Sequence, residues 1–271
     1  MFKSPTLGII KESKQLKWLP VRQFNVYQII TAFILPSAIA TGLFHVVLPG
    51  MVSAGMVAVV AWPLAAGGGL LIFVLFALWA LRKESREIKV SLAERMLLKK
   101  LSTRQWIIYS GILLAGMVLT MATYPIIDPF MKMTGLTVPS YFPFWLNPGI
   151  DPYAVDPELL TPGFSLKGAY WMIPLIGLIL LLNILAEEFY FRAWLLPKMS
   201  QYGDWAWIMN GAFFAFYHIF QAWLMPVIMV NSLIMAFVVY QSRSIWPALI
   251  IHLTLNFFAA GLSIVLLVMG V

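Results

Sequence analysis

Apolar residues run along the chain in stretches near the ~20 residues a helix needs to cross a bilayer, with polar residues gathered in the gaps. The pattern predicts an all-α, polytopic transmembrane helical bundle of about seven spans. They lie at Val26–Leu48, Gly55–Leu81, Trp106–Ile127, Ala169–Phe191, Trp205–Leu224, Pro226–Gln241 and Ile245–Val271. The strands of a membrane barrel would instead show alternating segments of about ten residues. Between the second and third spans, Ser85–Leu101 places Ile88, Leu92, Met96 and Leu97 at helical spacing among basic residues, which predicts a helix lying on anionic lipid. The connector Asp128–Gly168 carries Pro129, Pro139, Pro143, Pro148, Pro152, Pro157 and Pro162. Proline this dense removes N–H donors and breaks regular structure, so an irregular cap packed by its aromatics is expected.

Composition agrees with lipid as the solvent. Hydrophobic residues make up 61% of the 271 and charged residues 11%, against roughly 25% charged in a soluble domain. With no cysteine, disulfides and thiol catalysis are excluded. The net charge of +7 would suit nucleic acid, but its distribution points to a membrane surface and excludes a nucleic-acid role. Lys3, Lys11, Lys14, Lys17 and Arg22 precede the first span. Arg82, Lys83, Arg86, Lys89, Arg95, Lys99, Lys100 and Arg104 follow the second, an even number of crossings away. By the positive-inside rule both segments are cytoplasmic, so the N-terminus is inside and Lys132 and Lys167 are the two basic residues outside. The chain divides into three parts. Residues 1–105 hold the basic leader, two spans and the interfacial segment; 106–168 hold the third span and the Pro-rich exoplasmic loop; 169–271 form a catalytic transmembrane core. The expected location is a membrane, crossed several times, and the cell membrane in a prokaryote.

Ionisable groups inside apolar spans cost roughly 2.5–3.5 kcal/mol each on insertion scales and commonly mark function. The fourth span ends in Glu187, Glu188 and Arg192, the fifth contains Phe214 and His218, and the seventh contains His252 and Asn256. Residues four apart share a helix face, which pairs Glu188 with Arg192, Phe214 with His218, and His252 with Asn256. Glu187 is rotated about 100° from Glu188, so the two carboxylates have different tasks. If these spans pack together, a carboxylate, two imidazoles and an amide converge, although the span limits place His218 deeper than Glu187. Such a set suits peptide hydrolysis: Glu187 as general base toward water, an imidazole to assist, and Asn256 with the second imidazole facing the oxyanion. Glu187, His218 and His252 are also zinc-type ligands with an open position, so a divalent metal such as zinc is a candidate cofactor. No His-Glu-x-x-His pair supports it. The main alternative is a secondary transporter or proton pathway using the same buried Glu and His; paired broken helices in two matching halves are not found. His45 has no partner at helical spacing and reads as structural, while Lys198 and Arg243 read as ordinary cytoplasmic anchors.

The ordered set Glu187-Glu188-x-x-x-Arg192, Phe214-x-x-x-His218 and His252-x-x-x-Asn256 resembles the motifs of the CAAX prenyl endopeptidase type II family, also called the CPBP or Abi intramembrane proteases. The resemblance covers roughly Trp171–Phe258. It implies a glutamate-dependent protease, a class often described as metalloendopeptidases. Glu187 would activate the water, His218 assist it, and His252 with Asn256 form the oxyanion pocket. Glu188, Arg192 and Phe214 would support the site. The implied partners are membrane lipid and a membrane-associated protein or peptide substrate, with prenylated CAAX proteins among the family's substrates.

Overall fold

A backbone in lipid must satisfy its own N–H and C=O groups, which leaves helices as the way to cross for sequences of this pattern. The computed structural model describes residue 18 and residues 20–270, and its regular structure is helical throughout. The leader lysines Lys3, Lys11, Lys14 and Lys17 lie outside the described residues. Among the described residues, six helical runs are long and apolar enough to cross a membrane: α1 (Val26–Ser53), α2 (Ala58–Glu87), α3 (Thr103–Thr134), α4 (Met172–Tyr202), the run Trp205–Ser242, and α7 (Trp246–Met269). Local signals set their starts. Asn25 and Gln28 form a capping box ahead of α1, and Ser102 and Gln105 form another ahead of α3, each satisfying N–H groups the first turn leaves open.

The seven expected spans and the six observed runs differ at Trp205–Ser242, which folds back on itself. Gln221 leaves helical geometry at φ −132°, ψ 49°, dividing the run into α5 (Trp205–Tyr217) and α6 (Met225–Ser242). The arms lie antiparallel: the rings of Trp207 and Phe237 are 5.2 Å apart, and Gly211 lies directly against Leu233. The reversal falls a few residues before the expected boundary between Leu224 and Pro226, and Pro226 sits in the first turn of α6, where its missing N–H is harmless.

A Cβ at Gly211 would sit 2.8 Å from Cα and 3.0 Å from N of Leu233. Backbone cannot swing aside as a side-chain tip does, so Gly211→Ala must part the arms. We expect a loss of roughly 1–3 kcal/mol, read as a lowered unfolding midpoint in detergent micelles. An unchanged midpoint would show that the arms have room to spare.

Contacts between elements define the two ends of the bundle. At one end Phe24 N donates to Lys198 O (2.9 Å), Ile245 N to Leu97 O (3.0 Å) and Ser244 Oγ to Lys99 O (2.8 Å). This end collects the basic connector between α2 and α3. At the other, Gly168 N donates to Val268 O (2.9 Å) and Trp223 Nε1 to Leu146 O (2.8 Å). Here the Pro-rich connector forms the cap expected of it, irregular apart from short helical turns, with Phe142 packed on Phe44 and edge-on to Trp223. His45 is a structural residue of this end. Its Nδ1 lies 2.8 Å from Tyr141 Oη, and its Nε2 lies 2.9 Å from the Phe220 carbonyl at the hairpin apex.

The basic connector departs from the sequence reading. Residues 85–87 belong to α2, and the rest forms one four-residue turn, Leu92–Arg95. Met96 and Leu97 are buried in the core, and Arg95 is completely enclosed. Burial lowers the Arg95 pKa from its usual value, against the opposing pull of Glu84. Lys198 is no solvated anchor either: it is 2% exposed and pairs with Glu84. Arg243 lies over the rings of Trp18 (3.7 Å) and Tyr240 (4.5 Å).

Candidate active site

The residues singled out on three spans come together where their helices change type. α4 is α-helical from Met172 to Glu187, π-helical over Glu188–Leu195 and 3-10 over Leu196–Tyr202. His218 follows the last residue of α5 and opens a 3-10 stretch. Asn256 ends the α-helical part of α7, just before a π-turn at Phe257–Gly261. π-turns are rare and gather at functional sites. They re-aim side chains that a uniform helix would send elsewhere.

Glu187 stands between the two imidazoles. His218 Nε2 is 3.5 Å from its Oε1, and His252 Nε2 is 3.6 Å from its Oε2. The difference in depth expected from the span limits disappears because the fourth helix runs on past Phe191 to Tyr202, carrying Glu187 inward to the level of His218. Glu188 has the separate position expected from its rotation. It lies 2.9 Å from His252 Nδ1, on the far side of the ring from Glu187. One imidazole is therefore held between two carboxylates. Arg192 Nε is 3.9 Å from Glu188 Oε2, the i, i+4 pair expected on a helix, and both side chains are wholly buried. The Arg192 guanidinium rests 3.8 Å above the Phe214 ring, a cation–π contact that gains strength away from water. Phe214 also fixes His218: its carbonyl accepts a hydrogen bond from Nδ1 at 3.0 Å, which puts a proton there and turns Nε2 toward Glu187.

One member of the cluster was missed in the sequence. Asn183 Nδ2 donates to Glu187 Oε1 at 2.8 Å, and Asn183 Oδ1 accepts from Asn256 Nδ2 at 2.9 Å. Asn183 thus joins Asn256 to Glu187, leaving Glu187 Oε2 buried without a direct hydrogen bond. The signal was an amide one helical turn before Glu187, on its face, in a run of leucines.

Glu187, His218, His252, Asn183 and Asn256 line one cavity of about 1150 Å³, whose remaining wall is largely apolar and drawn from several helices. Glu188 and Arg192 stand behind this wall. Among the described residues no group of three or more His, Cys, Asp or Glu side chains has the arrangement to hold a metal ion. The donor set explains why. The imidazoles approach different oxygens of Glu187, and one of those oxygens already accepts the Asn183 N–H. As placed, the described residues do not fit zinc.

Residues 169–258 match the family model described as type II CAAX prenyl endopeptidase Rce1-like. This segment resembles that family. No curated protein and no solved structure matches the chain. The Rce1-like segment contains every residue of the cluster, with α4, α5, α6 and the site-bearing part of α7. α1, α2, α3 and the cap lie outside it, and they supply part of the cavity wall. Together with the six apolar runs, it makes the protein a multi-pass integral membrane protein. The match supports a CAAX-type intramembrane protease in general terms and a membrane-associated protein as its substrate.

Proposed function

We propose that the protein hydrolyses a peptide bond of a membrane-associated, prenylated CAAX-type protein with water activated by Glu187. The supporting observation is the Glu187 carboxylate held between two imidazoles at 3.5 and 3.6 Å on the wall of a large apolar cavity. These spacings exceed a direct hydrogen bond, and a bridging water restores the contact. In this reading the Glu187 carboxylate takes a proton from that water, and the oxygen attacks the scissile carbonyl. His218 Nε2 orients the water, while His252 and the second N–H of Asn256 face the developing oxyanion. The proton held by Glu187 then passes to the leaving amine. Glu188 holds the His252 ring in orientation from behind, and Arg192 and Phe214 brace that pair. The cavity's apolar wall favours a lipid-modified chain over a soluble one.

The basic end is read as cytoplasmic by the positive-inside rule, with residues 169–271 as the catalytic core, 1–105 as the N-terminal span pair with its connector, and 106–168 as third span and cap. The test is purified protein in liposomes with a farnesylated CAAX peptide in ¹⁸O-labelled water. Cleavage should place one labelled oxygen in the new carboxylate. Proton flux dependent on Glu187, without cleavage, would replace this reading with a transporter.

A further inference from the structure

Proline at position 197 lies in the 3-10 stretch that ends α4. It has no N–H. In the π register of the preceding segment that missing donor would serve the carbonyl of Arg192; in an α-helical register it would serve Ala193, and in a 3-10 register Trp194. The last two carbonyls accept from Arg95 instead: Nη1 to Ala193 O at 2.6 Å and Nη2 to Trp194 O at 3.2 Å. The same guanidinium binds Glu84 Oε2 through Nε at 2.9 Å and through Nη2. Glu84 Oε1 accepts from Trp194 Nε1 at 3.0 Å and pairs with Lys198, whose ammonium lies 4.7 Å from the Phe24 ring centre. The fork of Arg95 thus divides its donors between Glu84 and two carbonyls of the π-helical segment that carries Glu188 and Arg192. Ala193 adjoins Arg192.

We propose that Arg95 is a positioning residue, closing the helix end that Pro197 leaves open and thereby setting the register of Glu187 and Glu188. Arg95 and Glu84 lie outside the matched residues 169–258, so the register of the Rce1-like segment depends on a part of the chain beyond it. The effect on catalysis rests on the function proposed above; the effect on register does not.

The chain contains no cysteine, so a single introduced cysteine reports local geometry without background. Glu187 lines the cavity and Glu188 does not. Glu187→Cys should therefore react with a small methanethiosulfonate reagent at least about tenfold faster than Glu188→Cys, a gap set by which side chain reaches the cavity. Adding Arg95→Met should shrink that gap to within about threefold, and Pro197→Ala, which returns the N–H, should reopen it. In the native-cysteine-free background, Arg95→Met should lower kcat on the farnesylated peptide roughly 10- to 100-fold with little change in KM, as misplaced reacting groups do. Pro197→Ala should recover most of the loss. A folded Arg95→Met protein with its labelling gap intact would overturn the proposal, as would the absence of rescue by Pro197→Ala. Arg95→Lys keeps a cation beside Glu84 but loses the fork, and serves if Arg95→Met does not fold; its kcat should fall, and a wild-type kcat would also overturn the proposal. If labelling behaves as expected while the wild-type protein cleaves no peptide, the positioning role stands and the protease reading fails.

Discussion

Glu187→Gln should reduce peptide cleavage in liposomes by roughly a thousandfold, within the span that general acid–base groups contribute and equal to ~4 kcal/mol in the barrier. The substitution isolates proton transfer from packing. Glutamine has the same shape, and its carbonyl can still accept the Asn183 N–H that now reaches Oε1 at 2.8 Å. It cannot take a proton from water. The neighbours at 3.5 and 3.6 Å, His218 and His252, would keep their places, so the unfolding midpoint should move little. Cleavage at the wild-type rate would end the claim that this carboxylate is the base. A large drop in the midpoint would instead reveal that Glu187 is structural.

Arg192→Met should produce the largest loss of stability. The guanidinium is wholly buried and faces Glu188 Oε2 at 3.9 Å, and its nitrogens have no hydrogen-bond partner among the described residues. It is held by charge and by the face of Phe214. Removing one member of a buried pair leaves the other uncompensated and costs about 3–5 kcal/mol. Methionine fills much of the arginine stem, which confines the effect to the cation. The second variant, Arg192→Met with Glu188→Gln, removes both formal charges and should regain at least half of the loss, as coupled sites do in a double-mutant cycle. Denaturant titration in mixed micelles measures both. Equal losses in the single and double variants would mean that the arginine acts through packing alone.

The apolar runs, their helical character and the irregular cap were legible in the sequence because each follows from a strong local rule: desolvation of the backbone for the runs, missing donors for the prolines. The groups that meet at the site were legible too, since polar residues in lipid-facing runs stand out against leucine. What escaped the reading were features decided between distant parts of the chain. Gln221 has no turn chemistry of its own; the reversal there is completed by the contact of Gly211 with Leu233 and by His45 reaching the Phe220 carbonyl. The apolar run of the fourth span stops at Phe191, yet the helix continues through Pro197 to Tyr202 by changing its hydrogen-bond pattern. Lys198 and Arg95 looked like ordinary basic residues near a membrane surface. Their partner Glu84 belongs to another helix, and the Ala193 carbonyl lies 98 positions from Arg95. Asn183 gave a weaker signal because a lone amide in a span is more often glue between helices.

The hairpin has a consequence for how the protein is made. At 13 residues, α5 is about 20 Å long, and it reaches the cap end only with the 3-10 stretch His218–Leu224 that follows it. α6 packs back against it, so the hairpin brings His218 in as part of a pair. His252 and Asn256 follow on α7, so during synthesis Glu187 and Glu188 are threaded into lipid before the imidazole that separates them exists. A nascent chain stalled ahead of Trp246 carries two neighbouring acids and an incomplete cluster, which α7 completes with His252 and Asn256.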